Sequence, residues 1–107
     1  MFKLIGDNIF MTRGDTGMLQ LEASLDGKAM EKGTYTAVLS VKEDMERDEY
    51  LLQKQADDAG RFFFTHDDTK DIPEGTYVYD IEIRTGEQVC TFGPSKFTVK
   101  GDVTRDD

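Results

Sequence analysis

The chain has 107 residues, enough for one domain and too few for two, and its 37% hydrophobic and 10% aromatic residues furnish a core without staples. Ten glycines beside two prolines exclude collagen-like or low-complexity character. Thirteen basic against 22 acidic residues leave a net charge of −9, which repels a phosphate backbone and argues against a nucleic-acid partner, while the single cysteine, Cys90, excludes an intrachain disulfide and any multi-cysteine metal site.

The opening apolar run, Met1-Phe2-Lys3-Leu4-Ile5, breaks at Asp7, too early for the hydrophobic stretch of a signal peptide. No apolar run approaches the ~20 residues of a transmembrane helix. The expectation is a protein made in a cytoplasm without a cleaved signal and with no membrane partner. Residues 1–104 read as one domain and 105–107 as a tail that frays.

Most of the chain repeats with a period of two. After a first short strand, Arg13-Gly14-Asp15 matches the integrin-recognition tripeptide, although Gly14 is wanted simply to leave that strand. Leu19, Leu21, Ala23 and Leu25 alternate with polar residues as a half-buried strand, and Asp26-Gly27 supplies a tight turn. From Thr34 to Lys42, Tyr35, Ala37, Leu39 and Val41 face one way. Between Glu43 and Asp58 two readings stand. One is a charged loop through Asp48 followed by a strand from about Glu49 to Gln55. The other is a helix, since Met45, Leu52 and Ala56 sit at nearly helical offsets among good helix formers. Arg61 to Thr65 is short and β-prone. Tyr77, Tyr79, Ile81 and Ile83 mark the cleanest strand, and Thr85-Gly86-Glu87 turns it back. Gln88 to Phe92 returns, Gly93-Pro94 interrupts, and Lys96 to Lys100 finishes with Phe97 and Val99 inward.

The stretch from Asp71 to Tyr79 carries the most information. Pro73 fixes one φ and Gly75 permits a positive one, so the chain can turn sharply into the next strand. Tyr77 then stands where a tyrosine corner would, its hydroxyl returning to an upstream backbone group. Tyr79 falls where antibody domains place their second cysteine, a large apolar plug in place of a disulfide. Together these features predict an all-β fold, an immunoglobulin-like antiparallel β-sandwich of about seven strands.

The chemistry-bearing residues are sparse. His66-Asp67-Asp68, with Asp71 close behind and Asp57-Asp58 before the preceding strand, places oxygen ligands in loops at one end of the sandwich. Asp67, Asp68 and Asp71 are the calcium candidates, since calcium takes ~6–8 oxygens. The EF-hand spacing is absent, so no metal or other cofactor is expected. Cys90 has no partner base in its strand and reads as a small, partly buried filler. Ser24 and Ser40 fall on outer faces, outside any Gly-x-Ser-x-Gly elbow, and no glycine loop cradles a phosphate. No catalytic residue is expected.

Several segments resemble the small immunoglobulin-like domains of phages and prophages of Gram-positive bacteria. They are Met11-Thr12-Arg13-Gly14-Asp15-Thr16-Gly17, the Thr34–Lys42 strand, Leu51-Leu52-Gln53-Lys54, Asp67-Asp68-Thr69, Ile72 to Ile81 and Phe97 to Thr104. The chain is similar to the N-terminal domain of upper baseplate and related tail-appendage proteins. The resemblance implies a virion structural protein of the tail or baseplate, partnered by other tail proteins and possible copies of itself, with no catalytic residues to carry over. In longer relatives the domain continues into a linker and a receptor-binding module. This sequence stops at Asp107, which favours an adaptor or a stand-alone decoration. The alternative is a binding module for a host-surface carbohydrate or protein, assisted by calcium. Sugar binding wants an aromatic platform, and with no tryptophan the candidates reduce to tyrosines placed in the core. Assembly needs only an apolar patch or a free sheet edge.

Overall fold

Alternating apolar and polar side chains make each segment extended, and pairing decides which of them become strands. The computed structural model describes residues 1–25, 27–86 and 88–102. Among these residues the chain forms ten strands and one helical turn. In order they are β1 (Phe2–Ile5), β2 (Asn8–Thr12), β3 (Gly17–Gln20), β4 (Ser24–Leu25), β5 (Lys28–Ala29), β6 (Thr36–Lys42), β7 (Leu52–Gln55), β8 (Arg61–Phe64), α1 (His66–Thr69), β9 (Gly75–Thr85) and β10 (Gln88–Lys100). Six strands pair in the order β1-β2-β10-β9-β6-β7, β3 and β8 form a second sheet, and β4 and β5 a small hairpin. β2 runs parallel to β10, and the remaining pairs are antiparallel. The all-β sandwich expected from the periodicity is what the chain adopts. Its layers are unequal, six strands against two.

Register assembles the core. Val41 lies opposite Tyr79, Leu39 opposite Ile81, and Phe97 opposite both Tyr77 and Ile9, so successive rows place buried side chains of four strands on one face. The small sheet answers with Leu19, Phe62 and Phe64. Phe64 joins the layers, its ring 6.1 Å from Phe97 and 5.3 Å from Phe2. Burial of each such side chain stabilises the fold by roughly 1.5–3 kcal/mol.

The boundaries differ from expectation where a strand loses its partner. The strand read from Leu19 to Leu25 stops at Gln20, because β8 begins only at Arg61, after a turn in which Gly60 takes φ +77°. The Leu21 amide donates to the Gly60 carbonyl (2.8 Å) and the Gln20 amide side chain to Ala59 (2.8 Å). The chain then leaves for the β4–β5 hairpin. That hairpin and the one between β1 and β2 bring the strands to ten rather than about seven. Asp26 of the expected Asp26-Gly27 turn, Glu87 of Thr85-Gly86-Glu87, and residues 103–107 with the tail lie outside the described residues.

Between Glu43 and Asp58 the loop-and-strand reading holds, with β7 paired to β6 and starting at Leu52 rather than Glu49. Met45 is exposed while Leu52 packs against the core, so they share no helical face. Gly93-Pro94 does not end its strand. Phe92 pairs with Ile81 and Ser95 with Tyr79, so Gly93 and Pro94 bulge opposite Asp80 alone and β10 runs on. A Cβ on Gly93, at φ +109°, would meet the Tyr79 carbonyl at 3.1 Å.

Candidate interaction surface

The predicted corner is present in its hydrogen bond and different in its backbone. Tyr77 is buried, and its hydroxyl donates to the Pro73 carbonyl at 2.6 Å. Desolvation, helped by Glu43, pushes its pKa up, so the hydroxyl stays a donor. Gly75 does not take the positive φ expected of it; it opens β9 opposite Val99, beside the Tyr77 ring. Tyr79 is more than an apolar plug. Its hydroxyl donates to the Asp7 carbonyl at 2.5 Å, tying the β1–β2 turn to the core, and burial raises its pKa, with a further push from Asp7. Replacing Tyr77 with phenylalanine is expected to lower stability by about 0.5–1.5 kcal/mol, one net hydrogen bond. An unchanged urea midpoint would remove the corner.

The acidic loop is not a loop. His66-Asp67-Asp68 belongs to α1, where the Asp68 carboxylate accepts the Thr65 amide proton (2.7 Å) and pairs with Lys54 (3.0 Å). Thr65 followed three residues later by an acid is a helix-start signature that the sequence reading passed over. Asp67 pairs with Lys70 at 3.4 Å, and Asp71 lies exposed outside α1. Asp57 is turned toward Arg61, whose backbone amide proton chiefly holds the carboxyl below its ordinary pKa. Among the described residues no three His, Cys, Asp or Glu side chains are disposed to hold a metal ion.

α1 also claims the Arg13-Gly14-Asp15 tripeptide. The buried Thr69 hydroxyl accepts the Gly14 amide proton (2.8 Å), and the His66 ring bonds the Gly14 carbonyl through Nδ1 (2.7 Å). Arg13 pairs with Asp102 at 3.2 Å and Asp15 with the N-terminal ammonium. The tripeptide fastens β2 to α1 and keeps both of its charges engaged. Ser24 is exposed and Ser40 accepts from Gln53, while His66 holds Gly14, so these three are not brought together as nucleophile and base.

What the fold leaves open lies at the other end. Gln88–Phe92 is exposed along its whole length, and among the described residues its backbone pairs only with β9, because β2 reaches β10 no earlier than Phe97. Cys90 stands opposite Ile83 and Phe92 opposite Ile81, so both point to the inner face of the sheet. The two-stranded layer does not extend over them. Cys90 is therefore exposed rather than the partly buried filler expected, and Val89 and Phe92 are each 54% exposed. Between this arm and the β4–β5 hairpin runs a groove of about 470 Å³, lined by Leu21, Ala23, Met30, Ile83, Val89 and Phe92.

A second hollow, about 420 Å³, lies on the outer face of β6 and β9 among Lys42, Tyr50, Asp80, Glu82 and Arg84. Tyr50 is exposed, so the tyrosines are not all in the core, but the Lys42 ammonium sits 5.1 Å from its ring centre. Phe63, also exposed, carries Arg61 in the same way at 5.3 Å.

The sequence held a signal for the open arm. Residues 88–95 carry no charge in a chain that is one-third charged. The comparable run, residues 33–41, is explained by its place in β6, paired on both sides. No protein-family model matches the chain, and no curated protein matches it either.

Proposed function

We propose that the chain is a non-enzymatic structural module of a phage or prophage tail, an immunoglobulin-like sandwich that joins baseplate parts by protein–protein contact within the virion. One observation carries the assembly reading, the uncovered β10 arm. A free strand edge beside exposed apolar residues is a surface on which another chain can pair, and natural proteins usually guard such edges with charge. The immunoglobulin-like assignment is supported by the two-sheet core and the Tyr77–Pro73 corner. Carbohydrate recognition through calcium has less support. Asp67 and Asp68 are each paired with a lysine, and the exposed rings of Tyr50 and Phe63 are faced by the chain's own cations.

The test is location. After induction of a bacterium carrying the gene, the chain should co-sediment with tail particles and be labelled on them by antibody. A chain recovered only from the soluble fraction would refute the assembly reading.

A further inference from the structure

We infer that the open arm of β10 pairs with the same arm of a second copy, antiparallel and about a two-fold axis at Cys90, joining two six-stranded sheets into one. This deepens the assembly reading and rests on it.

The occupant follows from what the edge offers and what bounds it. Each copy carries a net charge of −9, so two copies repel, and the contact least opposed is one made where local charge is lacking. Gln88-Val89-Cys90-Thr91-Phe92 is such a strip, exposed and unpaired on its outer side among the described residues. Its limits fix the register. Moving the axis one way runs past Gln88, where β10 begins, and moving it the other way brings in the Gly93-Pro94 bulge, where proline has no amide proton to give. An axis at Cys90 pairs Gln88 with Phe92, Val89 with Thr91 and Cys90 with itself. Residues facing each other across an antiparallel pair lie on the same side of the sheet. Cys90 and Phe92 of both copies therefore fall on the inner face, and the two apolar grooves open toward each other. Room exists, because β2 begins beside β10 only at Phe97 and leaves the slot next to residues 88–95 empty of described strands. A contact of this length is at the small end of specific interfaces, so the dimer is expected to be weak and concentration-dependent.

The arm carries its own probe. In an antiparallel pair, opposed Cα atoms stand about 4.5–5.5 Å apart, within disulfide reach. Two residues 91 would be about 8 Å apart, beyond it. The full chain is followed by light scattering under reducing conditions, across a concentration series into the high micromolar range. It is then oxidised with diamide and resolved without reductant. The expected result is a mass rising toward twice the chain mass and a Cys90–Cys90 cross-link that accumulates at the dimer concentration. A Cys90→Ser, Thr91→Cys variant should cross-link several-fold less. A Val89→Lys, Phe92→Lys variant should stay monomeric at an unchanged melting temperature, both positions being half exposed. A monomer at every concentration would overturn the pairing, as would an oligomer that ignores the lysines or cross-links equally from position 91. The two readings fail separately. A monomer still found on tail particles removes the two-fold pairing alone, whereas absence from the particles removes assembly whatever the mass in solution.

Discussion

Replacing Phe64 with alanine is expected to lower the unfolding free energy by about 3–5 kcal/mol, the cost of deleting a buried aromatic ring and leaving its cavity. Phe64 is 2% exposed and spans the two layers, its ring against Phe97 on one side and Phe2 on the other. The site has little capacity to refill. Its partner across β3 is Gly17, which has no side chain to offer, and among the described residues the small sheet has no third strand to move in. Against a total stability of ~5–15 kcal/mol, a loss of that size removes a large fraction of the fold. The neighbouring Phe63 points to solvent, and Phe63→Ala should change stability by no more than about 0.5–1 kcal/mol, including its contact with Arg61. Urea denaturation of the pair decides the matter. Equal losses at the two positions would mean that the faces of β8 have been assigned wrongly.

Gly17→Ala should cost about 1–3 kcal/mol, for the opposite reason, too much volume rather than too little. A Cβ at position 17 would lie 2.3 Å from Cγ of Phe2 and 2.8 Å from its Cβ, so the ring cannot escape by swinging its far end. Gly17 is not at a positive φ, and only this close approach requires the glycine. The clash needs both partners. In a Phe2→Ala background the same Gly17→Ala change should be nearly neutral, giving a strongly non-additive cycle. Simple additivity would show that Gly17 serves some end other than room for Phe2.

Periodicity makes the large sheet legible in the sequence. Ala37, Leu39 and Val41, then Tyr77, Tyr79 and Ile81, then Phe97 and Val99 all lie buried on the faces their alternation predicts. These faces lie in the shared core, and there alternation translates directly into burial. Pairing, rather than burial, stopped where a partner ran out. Leu21 and Ala23 continue the pattern of Leu19, Leu21 partly buried and Ala23 buried, although β8 does not reach them. Cys90 and Phe92 keep their inward phase, but the layer meant to cover them is only two strands wide. Whether a face is covered depends on the dimensions of the opposing sheet, which no local pattern records. The helical turn at His66 was missed for a different reason. Four residues are too few to show a 3.6-residue period, and only the Thr65–Asp68 capping pair announced it.

The placement of the chain ends has a mechanical consequence. Met1 is bonded to Thr12, Arg13 to Lys100 through the backbone and to Asp102 through its side chain, so Met1 and Asp102, the ends of the described chain, lie at one pole. β10, thirteen residues at about 3.3 Å each, carries its hairpin roughly 40 Å away along the long axis. A pull between the ends loads those few contacts in turn and peels the first hairpin from the edge, like a zip. A pull between that pole and the hairpin tip instead runs along the continuous backbone of β10, and no rung of its ladder with β9 has to open to carry it. Held at its base and gripped at its tip, the domain behaves as a stiff strut. Held by its two ends, it unravels.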